Sequence, residues 1–189
     1  MSAPPPPPGP PPPPPAQKAV VGQGRANELE DKAAAVRELL DTAQEVIGSL
    51  FLANIVRAGD HAFLAEKGIK RVLTVGVMDM EPLPAGVEHK VVPIRDDLDE
   101  DLLAVLDDAV SWIAEGVKTS PAVPTLVHCE GGISRSAAVV LGYLIAEERL
   151  SFKDAYDRVK ALRRYINPNA SFVMQLNSYS ARLQEANSR

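Results

Sequence analysis

The chain has 189 residues, 46% hydrophobic and 24% charged, a balance that fits one ordinary folded domain with a tail. Its formal charge of -5 argues against a general nucleic-acid binder, which needs a cationic surface to displace counterions from phosphates. A single cysteine rules out an internal disulfide, and no basic-then-apolar leader or bilayer-length apolar run is present, so a cytosolic or nuclear protein without membrane insertion is expected.

Between Pro4 and Pro15 every residue except Gly9 is proline. Such a segment cannot donate backbone hydrogen bonds and settles into an extended polyproline II rod. It reads either as a disordered tail over residues 1–26 or as a ligand for proline-recognising domains of the SH3, WW or profilin type. From Asn27 the apolar positions Leu29, Ala33, Val36, Leu39 and Leu40 take helical spacing, with Asn27 and Glu30 placed as a capping box, so a leading helix is expected over 27–44. Two short strands, 45–47 and 50–53, then flank a Gly48–Ser49 turn, and Asp60 caps a helix that Gly68 stops. The β-branched runs 71–77 and 89–94 are strands, and 100–117 carries Leu102, Val105, Leu106, Ala109, Trp112 and Ile113 at helical spacing. Residues 125–129 form one more strand. Helices over 135–148, 152–163 and 170–185 close the chain, the second capped by Ser151 with Asp154 and the third by Asn169 after Pro168. Strands alternating with helices predict an α/β fold, a central mostly parallel twisted sheet covered by helices on its faces.

The chemistry concentrates in Val127-His128-Cys129-Glu130-Gly131-Gly132-Ile133-Ser134-Arg135-Ser136, a loop between a strand and a helix in which five residues separate Cys129 from Arg135. The carboxyl end of such a strand is where ligands bind, and the free N–H groups and dipole of the following helix favour an anion. Gly131 and Gly132 suit a tight loop whose backbone comes close to that anion. The same field favours the thiolate form of Cys129, the form that attacks phosphorus. The planar fork of Arg135 can bind two phosphate oxygens at once, a geometry lysine cannot copy.

The segment HCEGGISRS resembles the signature of the dual-specificity branch of the cysteine-dependent protein tyrosine phosphatases. EVIGSLFLAN, GIKRVLTVG, VVPIRDD and RRYINPNASFVMQL resemble that family in order and spacing, placing a catalytic domain over residues 45–189. The resemblance implies a phosphatase fold and a cysteinyl-phosphate intermediate, with Cys129 as nucleophile and Arg135 as phosphate clamp. Glu130, Gly131, Gly132, Ile133 and Ser134 form the phosphate loop between them. It also implies a general acid, an aspartate about thirty residues before the cysteine. Asp96 fits that place, with Asp97 and Asp99 as alternatives, because five of the six residues from 96 to 101 are acidic. A solvated loop and helix start, where acids favour the dipole, accounts for Asp97, Glu100 and Asp101, while Asp99 is a candidate helix cap. Ser136 is expected to donate its hydroxyl to the Cys129 sulfur, although a plain helix cap is its ordinary reading. His128 is expected to orient the loop from the opposite face of the strand and to be no base. Asn169 sits where the family has a loop-bracing asparagine, and a helix cap explains it equally well.

No cofactor is implied, and three scattered histidines with one cysteine make no metal cluster. The loop holds no Lys or second Arg, and acidic residues border its entrance, so phosphoproteins rank above inositol lipids and RNA 5′-triphosphates as substrates. The compact, atypical members of the family are the nearest likeness, with activity on phosphotyrosine and phosphoserine or phosphothreonine. A phosphoprotein-binding adaptor of weak or absent turnover, recruiting partners through the proline rod, is the alternative from another class. Rhodanese-like and arsenate-reductase-like Cys-loop-Arg proteins fit less well, since neither accounts for Asp96 or for RRYINPNASF.

Overall fold

The computed structural model describes residues 42–187. The proline rod and most of the expected leading helix lie outside them. Residues 42–44 are described and are not helical, Gln44 already opening the first strand.

Five strands form one sheet in the order β1-β2-β5-β3-β4. They are β1 (Gln44–Ile47), β2 (Leu50–Ala53), β3 (Arg71–Val75), β4 (Glu88–Val92) and β5 (Thr125–His128). The β1–β2 hairpin is antiparallel and every other pairing is parallel, as the alternation of strands and helices predicts. Six helices accompany them among the described residues: α1 (Ile55–Ala58), α2 (His61–Glu66), α3 (Leu103–Val117), α4 (Arg135–Glu147), α5 (Phe152–Leu162) and α6 (Ala170–Asn187).

The period of two along each strand divides the core between the sheet faces. Leu52, Leu73, Val75, Val127 and Cys129 pack with α3, α4, α5 and α6, while Phe51, Ala53, Val72 and Leu126 pack with Leu64 and Ile69 on the other side. Helix α4 is buried without interruption from Ser136 to Ile145. Its N-terminus is therefore held by the densest part of the core rather than by a flexible segment, which matters because the Cys129 loop leads into it.

Several expected boundaries move, each for a local reason. Strand β3 stops at Val75 because Gly76 turns the chain with φ +134°, leaving Val77 exposed instead of paired. Strand β4 is offset to Glu88–Val92, in register with β3 from Arg71↔Glu88 to Val75↔Val92. Helix α3 begins three residues later than its apolar pattern suggests. The acidic stretch first makes a turn closed by the Glu100 N–H on the Asp97 carbonyl (3.4 Å). The cap on α3 then comes from Asp101, whose Oδ1 accepts the Ala104 N–H at 3.2 Å, and from Gln175 of α6, which accepts the Leu103 N–H at 3.2 Å. Asp99 does not cap this helix. The single turn α1, capped by Asn54 through the Arg57 N–H (3.0 Å), was not expected, since its four residues are too short to show a period.

Candidate active site

Strand β5 ends at His128, and the chain from Cys129 to Ser134 wraps a cavity of about 580 Å³ before entering α4. Asp96, Cys129, Glu130, Gly131, Ile133, Ser134, Arg135, Asn167 and Asn169 line it. Four consecutive loop carbonyls are tied outward to the scaffold. Those of Glu130 and Ile133 accept the N–H groups of Ile55 (3.1 Å) and Asn167 (2.9 Å), and those of Gly132 and Gly131 accept Nε and Nη2 of Arg163 at 2.8 and 3.2 Å. In a trans peptide the next N–H points opposite to its carbonyl, so the amides of Gly131, Gly132, Ile133 and Ser134 turn inward to the cavity. No hydrogen bond within the described residues consumes them. Together they make an anion cradle.

Gly132 carries φ +64°, and a Cβ there would lie 2.5 Å from the Ala53 carbonyl oxygen and 2.7 Å from Arg163 Nη2. Neither backbone nor buried guanidinium can yield that space, so this position admits only glycine. Arg163 is 2% exposed and also reaches the Thr42 carbonyl at 2.8 Å and the Gln44 side chain. It is the structural pin of the loop, and sequence reading missed it. It opens the RRYINPNASFVMQL segment, but a basic pair at the end of a helical pattern looks like an ordinary favourable charge at a helix C-terminus.

Cys129 is buried beneath the loop, and the Ser136 hydroxyl donates to its Sγ at 3.1 Å from the first turn of α4. Arg135, the first residue of that helix, faces the same cavity, with Nη2 3.6 Å from Glu130 Oε2. Its guanidinium lies against the β3 end. A Cβ on Gly76 would stand 2.3 Å from Arg135 Nη1 and 2.7 Å from Met78 Cε. Gly76→Ala is accordingly expected to displace Arg135 and weaken vanadate binding by about 10- to 100-fold, a loss of one or two charge-assisted contacts, with the fold retained. Calorimetric titration with vanadate and a circular dichroism melt would separate the two effects.

Asp96 is fixed by a closed ring of hydrogen bonds. Its Oδ1 accepts the Ser134 hydroxyl at 2.6 Å and Asn169 Nδ2 at 2.8 Å, while the Asn169 backbone N–H donates to Ser134 Oγ at 3.1 Å. Asn169 Oδ1 simultaneously accepts the Phe172 N–H at 2.9 Å, capping α6. The cap takes the amide oxygen of Asn169, its NH₂ goes to Asp96, and its backbone N–H is what reaches the loop at Ser134. Asp97 contributes its carbonyl to the same amide at 3.4 Å, but its carboxylate turns back to the Asp99 N–H. The Asp99 side chain does not line the cavity.

His128 lies on the other sheet face and is fully buried. Its Nδ1 sits 3.3 Å from the Cys129 carbonyl, so that nitrogen carries the proton, and Nε2 accepts the Thr74 hydroxyl at 2.8 Å. His89 Nε2 stands 2.8 Å from the same hydroxyl oxygen and donates to it, completing a relay from β4 through β3 to β5. Burial pushes the His128 pKa down to about 4, so the ring is neutral and supports the loop rather than carrying charge. Above the unfolded value of 6.5 both states are neutral and His128 adds no pH dependence. As pH falls from 6.5 towards 4 the unfolded chain takes up a proton that the native ring refuses, and stability is lost progressively, by up to about 3 kcal/mol. Urea midpoints measured across that window should fall in the wild type and flatten in His128→Gln; parallel slopes would contradict a neutral buried His128.

Residues 50–182 match the family described as dual specificity phosphatase, catalytic domain. The chain belongs to this family. Among dual-specificity phosphatases it is 31% identical to Dual specificity protein phosphatase 1B of Arabidopsis thaliana over 74% of this chain and 83% of that one. It is 37% identical to Dual specificity phosphatase 28 of Homo sapiens over 74% of this chain and 78% of that one. It spans less of longer relatives, covering 41% of Drosophila melanogaster Dual specificity protein phosphatase MPK-4 at 34% identity over 84% of this chain. A crystal structure of a mouse putative dual specificity phosphatase complexed with zinc tungstate superposes with a TM-score of 0.73 at 33% identity, covering 78% of this chain and 91% of that one. The chain is a cysteine-dependent phosphatase of the dual-specificity type, with the α/β fold expected of that family. No described helix is long and apolar enough to cross a membrane.

Proposed function

We propose that this dual-specificity phosphatase removes phosphate from phosphotyrosine and from phosphoserine or phosphothreonine in proteins, through a phosphate ester of Cys129. The observation that carries the reading is one cavity lined by Cys129, the loop whose amides turn inward, Arg135 and the anchored Asp96. The phosphoryl oxygens take the amides of Gly131, Gly132, Ile133 and Ser134 and the fork of Arg135, which hold the charge of the transition state. The Cys129 thiolate attacks phosphorus. The S–P bond forms as the ester P–O bond breaks, and Asp96 gives its proton to the leaving oxygen. Asp96, now a carboxylate, takes a proton from water as its oxygen attacks the cysteinyl phosphate. The S–P bond then breaks, with the Ser136 hydroxyl donating to the departing sulfur, and inorganic phosphate is released.

Two features support protein substrates over polyphosphorylated small molecules: among the described residues no lysine lines the cavity, and Arg135 is its one cationic side chain, with Glu130 beside it. Asp96 and Glu130 also lie close to the surface, which suits short phosphoserine and phosphothreonine side chains as well as phosphotyrosine. The proline-rich segment is proposed, on its sequence, as the recruiting element for SH3, WW or profilin-type partners. The test of the chemistry is acid quenching during turnover of an aryl phosphate, followed by peptide mass spectrometry. A phosphate adduct on the Cys129 peptide is expected. Turnover without that adduct would sink the covalent route, and no turnover from mildly acidic to neutral pH would favour the adaptor.

A further inference from the structure

Among the described residues lining the cavity Arg135 is the one cation, and a carboxylate stands beside it. Glu130 Oε2 lies 3.6 Å from Arg135 Nη2, and no other anion pairs with Arg135 among the described residues. The Glu130 side chain is 78% exposed, rooted in the loop through its own carbonyl on Ile55. A phosphoryl group needs the Arg135 fork, so its binding must turn this carboxylate outward to the rim, where residues flanking a phosphorylated side chain would lie. Asp97 and Asp99 follow Asp96 closely in the chain and are exposed. Arg57 pairs with Asp60 at 2.7 Å and Arg95 with Glu100 at 3.0 Å. An acidic flank would therefore meet a like-charged rim.

We propose that Glu130 is a specificity-determining residue that selects phosphopeptides with basic residues beside the phosphorylated one, by exchanging its ion pair with Arg135 for one with the substrate. With a Lys or Arg flank the count of ion pairs is kept, since Arg135 passes to phosphate and Glu130 to the substrate cation. With a neutral flank Glu130 is left unpaired, and with an acidic flank it faces a like charge. The inference rests on the phosphoprotein-phosphatase reading above, so its test separates the two.

Binding of two phosphotyrosine peptides, one flanked by lysines and one by glutamates, is measured by calorimetry on Cys129→Ser and on Cys129→Ser/Glu130→Gln at low salt. Turnover of an aryl phosphate by wild type is measured in parallel and reports only on the chemistry. The lysine-flanked peptide should bind the Cys129→Ser protein about tenfold more tightly, the scale of one or two rim charge contacts. Glu130→Gln should cut that ratio to about threefold, leaving the part due to Asp97 and Asp99, and raised salt should shrink both ratios. A ratio near one in Cys129→Ser overturns the proposal, as does one that Glu130→Gln leaves unchanged. Equal tightening of both peptides would mean that Glu130 competes for Arg135 without selecting, and that also overturns it. Failure of both peptides to bind while vanadate still binds overturns it as well.

Discussion

Cys129→Ser is expected to lower turnover of any phosphomonoester by at least about 10⁴-fold, the scale on which removal of an essential nucleophile acts, while vanadate binding stays within severalfold of wild type. The two halves of that result have separate physical causes. In the proposed mechanism binding rests on the inward amides and Arg135, none of which involves the cysteine side chain. Attack in that mechanism is by the Cys129 sulfur, and a serine hydroxyl in its place would need a base. Among the described residues no base is hydrogen-bonded to residue 129: Ser136 is itself a donor towards it, His128 is on the far face with its Nε2 already accepting from Thr74, and the Asp96 carboxyl is held by Ser134 and Asn169. Arg135→Lys should behave differently and lose both properties, because an ammonium cannot span two oxygens as the guanidinium fork does. Phosphatase assays beside calorimetric vanadate titrations on the purified variants distinguish the outcomes. Appreciable turnover by Cys129→Ser would remove the nucleophile assignment altogether.

The parts of this molecule that could be read from sequence are those whose cause is local. Apolar period two and period 3.6 place β2, β3, β5 and α3 to α6 within a few residues, and the strand-loop-helix context of Cys129 points to a candidate anion site. Glycine at 131 and 132 announces a tight loop. What holds that loop in shape is not local. Arg163 follows Gly132 by 31 residues and reads its carbonyl from the end of another helix, and Gly76 matters only because Arg135, far along the chain, packs against it. The His89–Thr74–His128 relay runs across three strands and has no pattern within any one of them. The choice among Asp96, Asp97 and Asp99 was open for the same reason. Neighbouring aspartates are alike in sequence, and only the hydrogen bonds from Ser134 and Asn169 treat them differently.

Those same hydrogen bonds shape the second large effect. Asp96→Ala is expected to slow hydrolysis of an alkyl phosphate by about 10²- to 10⁴-fold, the usual worth of a general acid, and that of an aryl phosphate with a good leaving group far less. A good leaving group departs as an anion unaided, whereas an alkoxide must be protonated as it leaves. In the ring around Asp96, Oδ1 is occupied by two donors, so a proton on this carboxyl sits on Oδ2, the oxygen left free to meet the leaving group. Asn169→Ala should then give a smaller defect of the same leaving-group dependence, because Asp96 keeps its acid but loses one of the two contacts that aim it. Loss of the α6 cap, about 1 kcal/mol, would lower stability without producing any dependence on leaving group, so the two consequences of that substitution can be told apart. Rates are compared across a series of phosphomonoesters differing in leaving-group acidity, with Asp97→Ala and Asp99→Ala alongside. A flat series for Asp96→Ala, or a steeper one for either neighbour, would transfer the acid role away from Asp96.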